Sequence, residues 1–330
     1  MLERTRMKKI RKIAAALLAG CMILGTLTGC SPASDRMMFG TGGTAGTYYS
    51  YGGVLAQYMT KYAGVKTVAV STGGSKVNIQ SIQDGDFQLG FTQSDVMTYG
   101  WNGTRAFEQD GATHDFRVLA ALYAETVQVI TMDDSIKTIA DLKGKSVSVG
   151  QAGSGVYFNA MDVLQAVGLS IDEIRPQYQS FEDSKEALKD GKIDAAFIVA
   201  GAPTTAITEL ATTNGVNLIP IDGDLQKKIL KDCPYYDPYV IPAGTYPGQK
   251  EDISTITVQA TLIVSAKADE KTVYDLTASL FDHRKDITEE NAKGSELTLE
   301  KATGITTVPY HRGAAKYFRE QGYTVKTDKE

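Results

Sequence analysis

From residue 37 onward one pattern recurs: a short apolar, often β-branched run, a loop of small residues, then apolar positions at helical spacing. Met37–Phe39 leads into Gly40-Thr-Gly-Gly-Thr-Ala-Gly46, after which Tyr48, Tyr51, Val54, Leu55, Tyr58, Met59 and Tyr62 recur at the spacing of an amphipathic helix. Thr67–Val70 leads into Ser71-Thr-Gly-Gly-Ser75 and a helix from Lys76, and Phe87–Phe91 leads into Thr92-Gln-Ser-Asp95 and another helix. These three units predict one α/β lobe. The long apolar run Phe116–Thr131 then carries the chain into a second set. That set comprises a short helix at Ile136–Leu142, a strand at Ser146–Val149, the loop Gly150-Gln-Ala-Gly-Ser-Gly155, and a helix over Tyr157–Val167. A helix at Ser184–Asp190, a buried strand at Ala195–Ala200 and a helix through Ala211 follow. Thr255–Val264 reads as the return crossing, and helices near Thr272–His283, Thr288–Asn291 and Gly313–Gln321 complete the first lobe. The stretch Cys233–Asp252, with four prolines, reads as a long irregular loop.

Strands alternating with helices of this length predict an α/β fold of mostly parallel sheets with both faces covered. Two lobes are expected, residues 37–125 with 256–330 and residues 126–255, with hinge motion near 126–131 and 255–260.

The amino terminus changes the picture of where such a fold works. Arg4, Arg6, Lys8, Lys9, Arg11 and Lys12 precede the apolar run Ile13–Leu24, the layout of a secretory signal and too short to span a membrane. Leu27-Thr28-Gly29-Cys30 resembles a bacterial lipobox. Residues 1–29 are therefore expected to be a lipoprotein signal peptide, Cys30 to be acylated, and 30–36 to form a tether. The expected location is extracytoplasmic, lipid-anchored to the outer face of the cytoplasmic membrane. With Cys21 lost and Cys30 acylated, Cys233 alone would remain, so no intramolecular disulfide is expected. Residues 1–29 carry six Lys/Arg and one acid, so the remainder has a formal net charge of −10 against −5 for the whole chain. That acidity argues against nucleic-acid binding. It leaves room for a small anionic ligand, since helix N-termini make a site locally positive whatever the global charge.

The candidate chemistry lies where small-residue loops meet helix starts. The first backbone N–H groups of a helix lack intrahelical partners and the dipole favours negative charge there. Glycines allow close approach, and Thr44, Thr47, Ser71, Thr72, Ser75, Ser94 and Ser154 add hydroxyls. Each Ser or Thr taken singly also reads as a helix cap. Gly40–Ala45 fits G-x-G-x-x-A, the dinucleotide fingerprint, but no Asp or Glu occurs between Asp35 and Asp84 to hold a ribose. There is no G-x-S-x-G or H-E-x-x-H, and His114, His283 and His311 lie far apart. No catalytic residue, cofactor or metal is expected.

Several blocks between residues 38 and 324 resemble the TAXI family of TRAP-transporter solute receptors. They are Gly42–Tyr49, Ser71–Ser75 with Asn78, Gln93–Val96, Leu142–Lys145 with Val147–Gly150, Gly153–Gly155, Ala200–Pro203, Ile241–Gln249, His311–Ala314 and Tyr317–Glu320. The resemblance implies a type II-like periplasmic-binding-protein fold that closes on an organic anion, such as glutamate or a related dicarboxylate. It further implies delivery to a TRAP-type membrane permease driven by an ion gradient. On this reading Thr44, Ser75, Gln93 and Ser154 contribute side chains, Tyr49 and Tyr246 wall the cavity, and Gly43, Gly46, Gly74, Asn78, Ser94, Gly155 and Ala202 complete the ligand-binding set. Two positions depart from the family: Lys76, where an apolar residue is usual, and Arg312, where Pro usually follows the histidine. Alternatives are a binding protein for an ABC-type importer or a sensor with another small ligand, and an exported enzyme on the same fold.

Overall fold

The computed structural model describes residues 36–328. The signal peptide, Cys30 and almost all of the tether lie outside the described residues.

Ten strands form one curled mixed sheet, with eight on the main path in the order β2-β1-β3-β10-β4-β7-β5-β6. At one end β1 (Arg36–Gly40) pairs in parallel with β2 (Lys66–Val70) and β3 (Leu89–Gln93). At the other, β5 (Ser146–Ser148) pairs in parallel with β6 (Arg175–Gln177) and β7 (Ala195–Ala200). Between them run two long strands, β4 (Phe116–Thr131) and β10 (Ile253–Ser265). At about 3.3 Å per residue they are on the order of 50 and 40 Å long, enough to pass from one lobe into the other.

The return crossing is antiparallel on both sides. β10 pairs with β3 from Ala260↔Gln93 to Val264↔Leu89, and with β4 from Thr257↔Thr126 to Ser265↔Phe116. β4 in turn pairs antiparallel with β7 from Thr126↔Ala200 to Thr131↔Ala195. Thr126 is thus where β4 exchanges one neighbour for another. The segment 233–252 departs from its expected irregularity, because Asp237–Ile241 forms β9, an antiparallel partner of β10. Pro238 is compatible with this because β9 is paired only on its β10 side. A further short strand, β8 (Asn217–Ile219), pairs with β4.

Burial divides the apolar side chains into clusters on the two lobes. Phe39, Tyr51, Leu55, Phe91, Tyr123 and Leu262 belong to one. In the other lobe β7 is buried on both faces: Ala195, Phe197 and Val199 point into one cluster, Ala196, Ile198 and Ala200 into another. That is the burial of a central strand covered by helices on both sides.

The helices that matter below are α1 (Thr47–Tyr62), α2 (Ser75–Asp84), α3 (Ser94–Asn102), α4 (Val156–Ala166) and α5 (Phe181–Lys189). α5 begins three residues before the apolar periodicity suggests, because the Ser180 hydroxyl accepts from Asp183 N–H. The helix expected at Ile136–Leu142 shortens to a 3₁₀ turn over Ile139–Leu142, opened by a Thr138–Asp141 capping box.

Candidate functional site

Four helix starts converge on one cavity, lined among others by Gly42, Gly43, Gly46, Gly73 and Gly74 from one lobe and by Ser154, Gly155, Ser180 and Phe181 from the other. At α1, α2 and α4 the cap residue is a glycine, Gly46, Gly74 and Gly155, and none has a side-chain cap. This decides between the two readings of the small-residue loops. A Ser or Thr cap would occupy a first-turn N–H with its side chain, which glycine cannot do. Lys76 N–H at α2 and Phe158 N–H at α4 are taken by the backbone oxygens of Gly153 and Gly155, and the N–H groups of Ser75, Val156 and Tyr157 have no intrahelical partner. At α5 the Ser180 hydroxyl does take that role.

The loops are held together by Asn78. Its Nδ2 donates to Thr41 O (2.7 Å) and Phe91 O (2.8 Å), and its Oδ1 accepts from Thr72 Oγ1 (2.7 Å). One buried amide thus ties the ends of β1, β2 and β3 into a single rim. Gln93 N–H donates to Ser75 Oγ (3.1 Å), fixing the start of α2 against the end of β3.

The cavity is small, about 50 Å³. A single water needs about 10–15 Å³ on a comparable measure, so in this arrangement there is space for a few solvent-sized groups. It is enclosed by hydrogen bonds between the lobes. Lys76 N–H donates to Gly153 O (3.1 Å), Thr47 Oγ1 to Gly201 O (3.1 Å) and Gln93 Nε2 to Asn159 Oδ1 (3.0 Å). Behind the cavity the Arg105 guanidinium makes a two-pronged pair with Asp162, at 2.7 and 3.2 Å, and Tyr235 and Tyr236 also donate to Asp162. The molecule is therefore in a closed arrangement.

Among the described residues no Lys, Arg or His lines the cavity. One acid does. Glu125, on β4, is 3% exposed, and its Oε2 accepts from the Tyr48 hydroxyl at 2.7 Å. Burial raises the Glu125 carboxyl well above its ordinary value, against the opposing pull of the Tyr48 hydrogen bond. Burial likewise raises the Tyr48 phenol. Asp95, at the start of α3 and outside the lining, is pushed up to about 7 by burial, partly offset by hydrogen bonds that include one from Asn159.

Of the residues singled out from sequence, Gly43, Gly46, Thr47, Gly74, Ser75, Gln93, Ser154 and Gly155 line the cavity. The others stand elsewhere. Thr44 is exposed on the loop, and Tyr49 points outward, 39% exposed, while its neighbour Tyr48 takes the inward direction. Asn78 acts beneath the rim. Ser94 Oγ accepts from Gln259 N–H (3.1 Å), away from the lining. Tyr246 is buried in the second lobe, hydrogen-bonded to Gln128 and accepting from Thr204 N–H, and Ala202 packs against the same apolar cluster. Ser154 does line the cavity, but its hydroxyl proton goes to Gln151 O at 2.7 Å. Lys76 pairs with Asp110 at 2.7 Å and lies over the Phe107 ring, directed away from the cavity. Sequence reasoning did not place Tyr48, Glu125, Gln151, Gln179 or Phe181 in the site. Glu125 carried a readable signal, a lone acid within the apolar run Phe116–Thr131.

A model of the NMT1-like family matches residues 39–322. A putative aliphatic sulfonates-binding protein of Escherichia coli (strain K12) is 35% identical over 69 residues, so the match spans about a fifth of that relative's length, 21%. Among solved structures, the alkanesulfonate-binding protein SsuA of Xanthomonas axonopodis pv. citri, bound to MOPS, aligns with a TM-score of 0.50. The identity is 17%, covering 87% of this chain and 91% of that one. PhnD1 of Prochlorococcus marinus (MIT 9301), in complex with methylphosphonate, aligns with a TM-score of 0.51 at 10% identity, covering 78% and 89%. The fold is that of the periplasmic binding proteins.

Proposed function

The chain belongs to the NMT1-like family, and on that premise we propose that it is an extracytoplasmic receptor that reversibly captures a small anionic solute and passes it to a separate membrane importer. The observation that carries this reading is the convergence of three uncapped, glycine-led helix starts from both lobes on one enclosed cavity. Such starts present N–H donors and positive dipole ends to an anion without any fixed cation. The site has no paired nucleophile and base among its lining residues, which favours binding over catalysis. No helix among the described residues is long and apolar enough to cross a membrane; attachment is assigned to lipid on Cys30.

Residues 37–125 with 256–330 and residues 126–255 act as the two moving lobes. Closure bends β4 and β10 near Thr126 and Thr257, and the ligand shifts the open form toward the closed one by its differential affinity. The TAXI-like blocks favour a TRAP-type permease as the importer and glutamate or a related dicarboxylate as the solute. The names of the relatives, which bind sulfonates and a phosphonate, favour the alternative of an ABC-type importer and another small anion. A TRAP permease gene beside this one supports the first; an ATPase with an ABC permease supports the second.

A thermal-shift screen with carboxylates, sulfonates and phosphonates tests the common core. A ligand at 100 times its Kd adds about 2.7 kcal/mol of stability, and the compound should be recovered unchanged. A shift caused only by neutral compounds overturns the anion reading, and turnover of the ligand overturns the receptor reading.

A further inference from the structure

An anion receptor built from helix starts needs donors, yet this cavity also holds acceptors that nothing among the described residues satisfies. Glu125 uses one oxygen for the Tyr48 hydroxyl, and its other oxygen takes part in no hydrogen bond among the described residues. Gln93 Oε1 and Gln179 Oε1 are buried without a partner, and both residues line the same cavity. The Gln93 amide cannot relieve this by turning over. Asn159 directs its Nδ2 to Asp95 (3.0 Å) and Tyr236 (2.8 Å), so its Oδ1 faces Gln93 and requires the Gln93 Nε2 there. Gln93 is 2% exposed, and its oxygen packs against the backbone of Gly155.

We propose that Glu125 is the counter-ion for a protonated amino group, so that the solute is a small zwitterion. Its acidic group lies on the glycine-led helix starts and its ammonium on Glu125. This inference rests on the receptor reading above and narrows its ligand class. An ammonium carries three donors and no acceptor, which complements the unmatched Glu125 oxygen. A dicarboxylate or a simple sulfonate brings no ammonium to pair with the ionised acid and would set a second negative charge beside it. Burial raises the Glu125 carboxyl well above its ordinary value, and an ammonium beside it favours the ionised form. Any proton the carboxyl holds is released to bulk water as the ammonium enters and the ion pair forms. Desolvated pairs of this kind discriminate strongly, because a ligand lacking the amine leaves the site's polar groups unpaired.

The test is isothermal titration of the full-length protein with the twenty L-amino acids and taurine. Each is run against its des-amino counterpart, for example L-glutamate with glutarate, L-alanine with propionate and taurine with ethanesulfonate. At least one amino compound should bind at least tenfold tighter than its des-amino partner. Its apparent heat should depend on the buffer in the way that release of protons requires. Glu125→Gln should cut the amino to des-amino affinity ratio at least tenfold and remove the buffer dependence. Tyr48→Phe, which leaves the acid in place, should reduce the ratio by less. If des-amino acids bind as tightly as amino acids, or Glu125→Gln leaves the ratio unchanged, the zwitterion inference falls while the receptor reading stands. If no acid of any kind binds, both fall.

Discussion

At the residue scale the site depends on backbone approach as much as on side chains. Gly155 marks this most sharply, since a methyl group added there would land on the Gln93 amide oxygen from the opposite lobe. Gly74 is constrained differently: its φ of +103° is open to glycine and strained for other residues. Gly155→Ala should therefore act on closure more than on folding. Overpacking of this kind costs about 1–3 kcal/mol, equivalent to about five- to 140-fold in Kd. The ligand-free melting temperature should move little, because separating the lobes relieves the clash. Calorimetric affinity together with a melt of the free protein checks this; an unchanged Kd would mean that the lobes do not meet here in the bound form.

At the element scale the counterpart of the cavity is the contact between the segment after α3 and helix α4. Asp162 on α4 has 4% side-chain exposure and Arg105 has 32%. Arg105 sits at a positive φ of 48° that places its guanidinium against Tyr99, Tyr235 and Asp162. Hydrogen bonds to charged groups contribute about 1.5–3 kcal/mol, less where one partner is partly exposed. Arg105→Ala should thus lower stability in urea unfolding by about 1–2 kcal/mol. It should also shift the population toward the open form, read as a larger radius of gyration in solution scattering. Replacing both partners with apolar residues should recover part of the stability, since no buried charge is then left alone. No recovery would mean that the surrounding tyrosines, rather than the ion pair, hold the two elements together.

At the scale of the whole molecule the buried acids set a pH dependence. Asp95 is wholly buried, one of its oxygens has no partner, and its carboxyl is pushed from 3.8 to about 7. The folded protein therefore holds a proton between about pH 4 and 7 that the unfolded chain gives up. The stability from this group is present below about pH 4 and is lost as pH rises through 7. Glu125, raised in the same direction, adds to the trend. His311, lowered below 6.5 chiefly by burial, opposes it by favouring the neutral ring and losing stability as pH falls. Asp95→Asn should flatten the Asp95 contribution. The melting temperature of the wild type, relative to the variant, should fall between pH 5 and pH 8. Parallel pH profiles of the two proteins would show that Asp95 is ionised throughout.

What the sequence alone determined is local: the order of strands and helices, the small-residue loops at the carboxyl ends of strands, and the glycines heading helices. Hydrophobic periodicity and turn chemistry operate over a few residues, so the strand Ala195–Ala200 and the helices after Gly46 and Gly155 could be read directly. The same locality explains the misplaced tyrosines. Spacing put both Tyr48 and Tyr49 at the first helix start, but only packing against Phe91, at 4.6 Å between ring centroids, decided that Tyr48 turns inward. The tertiary structure alone decided that β10 runs antiparallel between β3 and β4 and that the proline-rich stretch after Cys233 contains a paired strand. It alone brought Glu125, Gln93 and Gln179 from three segments to one cavity. Those outcomes depend on strand register and on contacts between residues tens of positions apart, which no local pattern encodes.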